Sequence, residues 1–136
     1  MWNDPDALIE RRSRLVLGAT NIALHVIHVV FIVFFVTGWV FCETRLWHLV
    51  VLGLVGFSWF GLGAFMGLGY CFITDIHWRL RERMGMIRPS GGYMKFIYHT
   101  LLKIDADDLI IDRITYVVAA FCTISSVILS WIKGTC

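Results

Sequence analysis

The sequence predicts an all-α integral membrane protein, three transmembrane helices joined by cytoplasmic-side amphipathic helices, on three observations. Of its 136 residues, 58% are hydrophobic and 16% charged, more apolar surface than one small core can bury. Residues 15–41 contain no Lys, Arg, Asp or Glu, a run longer than the roughly 20 apolar residues that cross about 30 Å of hydrocarbon. Two further uncharged runs follow, at 46–73 and 114–132. The charges then orient the spans. Of the 12 Lys and Arg, only Arg45 and Lys133 fall on the far side of this topology, so the positive-inside rule puts the N-terminus in the cytoplasm and the C-terminus outside. The whole chain, 1–136, reads as a single membrane domain.

Residues 1–14 are the interfacial N-terminal segment. Asp4-Pro5 supplies an N-cap followed by proline at the first helical position, and Arg11, Arg12 and Arg14 close the segment. The Arg11-Arg12 pair invites a twin-arginine export reading. The apolar run behind it is too long for a signal-peptide core and no small-residue cleavage site follows, so an uncleaved anchor is expected.

In the first span, 15–41, Asn21, His25 and His28 share one helical face. That face turns inward, because lipid offers its polar groups no hydrogen-bond partner. Trp39 and Phe41 anchor the outer interface, and Cys42-Glu43-Thr44-Arg45 makes a short turn. The second span, 46–73, carries Gly53, Gly56, Gly63 and Gly67 as candidate helix-packing positions. Such glycines let a neighbouring backbone approach closely, with packing on the first span favoured over dimerisation.

The amphipathic segment, 74–113, leaves the membrane as a basic helix bearing Trp78. Arg79, Arg81 and Arg83 are its candidates for lipid headgroup contact, at about 1 kcal/mol each. Pro89-Ser90-Gly91-Gly92 breaks it, and Tyr93 to Ile104 sets Phe96, Ile97, Leu101 and Ile104 beside Lys95, His99 and Lys103. Asp105 reads as the cap of a short continuation holding Asp107, Asp108 and Asp112. The third span, 114–132, has Tyr116 and Trp131 near its ends, and its Thr123, Ser125 and Ser126 can bond back to their own helix.

The chain has five histidines. Imidazole is the usual axial ligand of b-type haem, so His28, with His25 or His99 assisting, is the candidate haem or quinone contact. His48 differs from His28 in depth by about 15–20 Å at 1.5 Å per residue, too far for both to hold one iron. His25 and His28 could share a metal ion, but no carboxylate or thiolate stands at their depth. A grouping of His77, His99, Cys71 and Asp75 is also open. The commoner role for His25 and His28 is a hydrogen bond to Asn21, a carbonyl or another helix. His48 and His77, beside Trp47 and Trp78, read as ordinary interfacial residues. Four cysteines lack C-x-x-C spacing. Cys42 and Cys136 both fall at the outer surface, where an oxidising compartment could join them, although a frayed C-terminus is the commoner state.

No phosphate-binding glycine loop, Gly-x-Ser-x-Gly elbow or His-Glu-x-x-His helix occurs, so no enzyme class is indicated. The basic residues track the membrane edge beside apolar anchors, which points to the lipid bilayer and away from nucleic acid.

His28 with Phe31, Phe34 and Gly38, Trp47-His48, Cys71 and Thr74, Leu80-Arg81, Gly85, and Gly91-Gly92 with Phe96-Ile97-x-His99-x-Leu101-Leu102 form a set. In these residues the chain resembles the bacterial inner-membrane family catalogued as domain of unknown function 2784, over roughly 15–133. The family's Cys-Pro-Leu-Thr-x-x-Glu stretch here reads Cys71-Phe72-Ile73-Thr74-Asp75-Ile76-His77, so a role of that glutamate does not carry over to His77. The resemblance implies a small multi-spanning protein of the bacterial inner (cytoplasmic) membrane. The expected function is non-catalytic, a structural or accessory subunit that meets a membrane-protein partner or a second copy of itself. A redox subunit holding b-type haem or quinone is the alternative.

Overall fold

A computed structural model describes residues 5–89, 91–104 and 106–134. Helix α1 spans Pro5–Thr37. Helix α2 begins at Cys42, passes at Phe57–Leu62 through a π-helical turn, and ends with Gly63–Met66. Helix α3 is Phe72–Arg83, α4 is Tyr93–Ile97 continued by a π-helical turn at Tyr98–Leu102, and α5 is Asp108–Lys133. Three helices, Leu8–Thr37, Cys42–Met66 and Asp108–Lys133, are long and apolar enough to cross a membrane. Among the described residues there is no strand.

Several expected boundaries move, each for a local reason. The interfacial segment and first span are one continuous helix, because no proline or glycine pair interrupts it after Pro5, its first residue. An i,i+4 pair, Arg14 to Glu10 at 2.6 Å, lies on its exposed side. Asp4, the expected cap, lies outside the described residues. The turn falls at 38–41 rather than 42–45: Gly38 follows the last helical residue, and the Thr44 hydroxyl donates to the Gly38 carbonyl at 2.7 Å. The second span stops at Met66, not Ile73, because Gly67 and Gly69 take φ of 109° and 81°, a region that terminates a helix. Helix α3 ends in a Schellman motif, with Met86 N–H donating to the Arg81 carbonyl and Gly85 N–H to that of Glu82. The cap of α5 is Asp107, whose carboxylate accepts from Leu109 N–H at 3.0 Å; Asp105 lies outside the described residues.

Among the described residues the buried positions mix polar with apolar side chains, while many large apolar ones face outward. His48, His77, Cys122 and Ser126 are the largest fully buried side chains, while Leu54, Phe57 and Val117 face outward. Hydrocarbon solvent selects this arrangement, since polar groups find partners only inside the protein. Helix α5 packs on both α1 and α2, α3 runs along α1, and α4 lies against α5.

Near the α1–α2 turn one imidazole joins all three spans. His48 Nε2–H donates to the Phe35 carbonyl at 2.8 Å, and its Nδ1 accepts from the Ser126 hydroxyl at 3.0 Å. Gly38 makes room for it, because a Cβ there would stand 3.0 Å from His48 Cδ2. His48 is therefore a core tie, not an interfacial residue, and Ser126 bonds across helices, whereas Thr123 bonds back to its own helix, at 2.8 Å to Ala119. Arg45 is buried beside this tie and donates to the carbonyls of Gly134 and Trp39. Cys71 and Cys122 are free thiols and Cys42 is disulfide-bonded; Cys136 lies outside the described residues.

The glycines do not pack as expected. A Cβ at Gly53 or Gly56 would meet nothing within 4 Å, so neither packs on the first span. Gly63 packs on the turn at Leu68 and Gly69 rather than on another helix, and Gly67 terminates the span.

Candidate functional site

At the other end of the bundle, α3 and α4 are wedged against α1 by a cluster of rings. Helix α3 places Thr74, His77 and Trp78 on its buried face, with Arg81 one turn on, the i, i+3, i+4, i+7 spacing of an amphipathic helix. The N-terminus of α3 is secured from α2. The Ser58 hydroxyl donates to the Tyr70 carbonyl at 2.8 Å and accepts from Phe72 N–H at 3.3 Å. Gly69 N–H meanwhile reaches the Trp59 carbonyl in the π-helical turn, where a widened turn frees backbone groups for outside partners.

His25 and His28 from α1 meet His77 from α3 and Tyr93 from α4. The His25 and His77 centroids are 4.2 Å apart, edge to face. His28 stacks on Tyr93 at 3.7 Å and stands 6.4 Å from His77. His77 Nε2–H donates to Asn21 Oδ1 at 3.0 Å. The Tyr93 hydroxyl bonds His25 Nδ1, also at 3.0 Å. Thr74 Oγ1 and Cys71 Sγ flank His28 Nε2 at 3.3 and 3.9 Å. Phe96 stacks on His25, and Arg81 lies over the rings of Trp78 and Phe96. His28, His77, Trp78 and Tyr93 are all buried. Two ring atoms in the cluster, His28 Nδ1 and His77 Nδ1, are buried without a partner.

The charges at the site follow from this packing. Burial, the neighbouring His25 and His28 rings and Arg81 push the His77 imidazole down to about 4, so it is neutral at pH 7. Burial raises the Tyr93 phenol. Burial alone would raise Asp75, but the Tyr70 hydroxyl and the guanidiniums of Arg79 and Arg88 outweigh it and hold the carboxyl below its ordinary range.

The structure brings His25 and His28 together, as their shared face implied, and adds His77, Thr74, Trp78 and Tyr93. His99 is exposed and stands outside the cluster. The grouping of His77 with His99 and Asp75 is likewise not assembled, and among the described residues no three His, Cys, Asp or Glu are arranged to hold a metal ion. His28 is stacked on Tyr93 with Nε2 turned to Thr74 and Cys71, and His77 Nε2 is engaged by Asn21. Of the three arginines, Arg79 pairs with Asp75 at 2.8 Å, Arg81 turns inward over the aromatic rings, and Arg83 is exposed.

A family model described as a protein of unknown function, DUF2784, matches residues 19–131. The chain belongs to this family. No curated protein and no solved structure matches it. The DUF2784 segment takes in Asn21 at one end and Ser126 at the other, so the histidine cluster and the His48 tie both lie within it.

Proposed function

We propose that this DUF2784 chain is a non-catalytic structural or accessory subunit of an assembly in the bacterial inner membrane, its N-terminus cytoplasmic and its C-terminus periplasmic. The observation that carries the reading is how the histidine rings are engaged: His25, His28 and His77 bond and stack on Asn21, Thr74, Tyr93 and one another, which binds α3 and α4 to the bundle. Gly53 and Gly56 support the second half of the reading. Their faces are open within the chain, and small residues on a span admit a neighbouring helix, whether from a partner or a second copy. The exposed Arg83 and the Arg11, Arg12 and Arg14 cluster suit contact with anionic headgroups.

The test is extraction from native membranes into polymer-bounded lipid discs, followed by mass measurement and an absorption spectrum before and after dithionite. The expected species is larger than one 15.6 kDa chain, with no Soret band. A lone chain overturns the accessory reading. A Soret band that sharpens on reduction and vanishes in His28→Ala transfers the assignment to the redox alternative, in which His28 holds a b-type haem.

A further inference from the structure

We propose that His25, His28 and His77 form a proton-operated latch: charging these rings releases α3 and α4 from α1, reversibly, while the three spans stay assembled. The latch is built from groups on three elements. Helix α1 contributes His25 and His28, α3 contributes His77 and Arg81 with Cys71 just before it, and α4 contributes Tyr93. No carboxylate is among the groups acting on His77. Asp75, on the same helix, is turned to Tyr70, Arg79 and Arg88, and Asp108 of α5 pairs with Lys95. A positive charge in the cluster therefore meets a second positive group, Arg81, and no compensating anion.

The place where the proton must go sharpens the point. His77 Nε2 already donates to Asn21, so protonation falls on Nδ1, a buried atom with no acceptor beside it. His28 Nδ1 is buried and unpartnered in the same way. A buried cation lacking both a counterion and a hydrogen-bond acceptor is unstable until it reaches water. The chain can deliver it there, because positive-φ glycines flank α3, Gly67 and Gly69 before it and Gly85 and Gly91 between it and α4. The pairs of Asp75 with Arg79 and Arg88 travel with α3 and the turn after it, while the Ser58 bonds to the Tyr70 carbonyl and Phe72 N–H keep the start of α3 on α2 as the pivot.

The sign follows from linkage. The docked His77 sits near 4 against an ordinary 6.5, so docking is fully stabilised above pH 6.5 and weakens as pH falls toward 4. Through His77 alone, lowering the pH from 7 to 5 increases opening about twentyfold. Asp75, held below 3.8, stays ionised throughout that interval.

The test is amide hydrogen exchange on the full chain in lipid discs at pH 7 and pH 5, corrected for intrinsic exchange. Expected is a gain in exchange of about twentyfold across 72–83 and 93–97, reversed on return to pH 7, with 42–56 and 108–133 unchanged. His77→Gln keeps an N–H for Asn21 and cannot charge, so it must show a smaller gain. Unchanged protection in the wild-type chain at pH 5, or an equal gain in His77→Gln, overturns the latch. If His77→Gln already exchanges fast at pH 7, the wild-type ring 15N resonances decide. Rings that charge over the interval in which protection is lost support the latch, and rings that stay neutral through it overturn it.

Discussion

His48 and His77 are chemically the same side chain, both fully buried, yet they are satisfied differently. Both ring nitrogens of His48 have partners, the Phe35 carbonyl and the Ser126 hydroxyl, whereas His77 keeps one bare nitrogen. His48 is accordingly a permanent fastening. His48→Ala leaves a carbonyl and a hydroxyl unpaired and opens a cavity among three helices, a loss of about 2–4 kcal/mol. Thermal unfolding in detergent should show that loss at neutral pH. Gly69→Ala is a second sensitive site: its φ is 81° and a Cβ would fall 2.6 Å from the Tyr116 hydroxyl. The replacement should lower the melting temperature, whereas Gly18→Ala, where an added Cβ meets nothing within 4 Å, should leave it unchanged or raise it.

At the scale of elements, the glycines of α2 separate what the sequence could tell from what it could not. Their spacing announced close packing but not which surface would use it. Gly63 and Gly67 serve a turn and a helix end, and Gly53 and Gly56 face open space. Gly53→Ala should therefore favour the isolated helix by about 0.5–1 kcal/mol. If a neighbouring helix occupies that face, the same change should weaken the assembly, so gel filtration and melting will move in opposite directions. The Asn21, His25 and His28 face was legible because helical periodicity alone creates it. Its partners were harder to see. His77 and Tyr93 are distant in sequence, and only the spacing of Thr74, His77, Trp78 and Arg81 along α3 hinted that this basic helix has a buried side. The stop at Met66 was missed for a related reason: glycines at helical spacing and glycines at positive φ look alike in a string of letters.

For the whole molecule, hydropathy was the most informative signal, because three long apolar runs can be read without tertiary contacts. Their number and order agree with the sequence reading, while exact ends depend on turns and caps. The orientation rests on charge placement, and a reporter fused after the last residue should be active only on the periplasmic side. A cytoplasmic signal would reverse or break the proposed topology.

Helix α5 follows the other two described spans in the chain, and it supplies contacts at both ends of the fold. Ser126 completes the His48 fastening, and Asp108 pairs with Lys95 on α4. A nascent chain that has inserted only α1 and α2 thus carries His48 with one nitrogen unanswered, and α4 without the Asp108 partner of its Lys95. Chains cut before Asp108 should insert yet remain open to quality-control proteases, and a pulse-chase comparison should find them short-lived beside the full-length protein. Supplying 108–136 as a separate segment in the same membrane is then expected to prolong their survival.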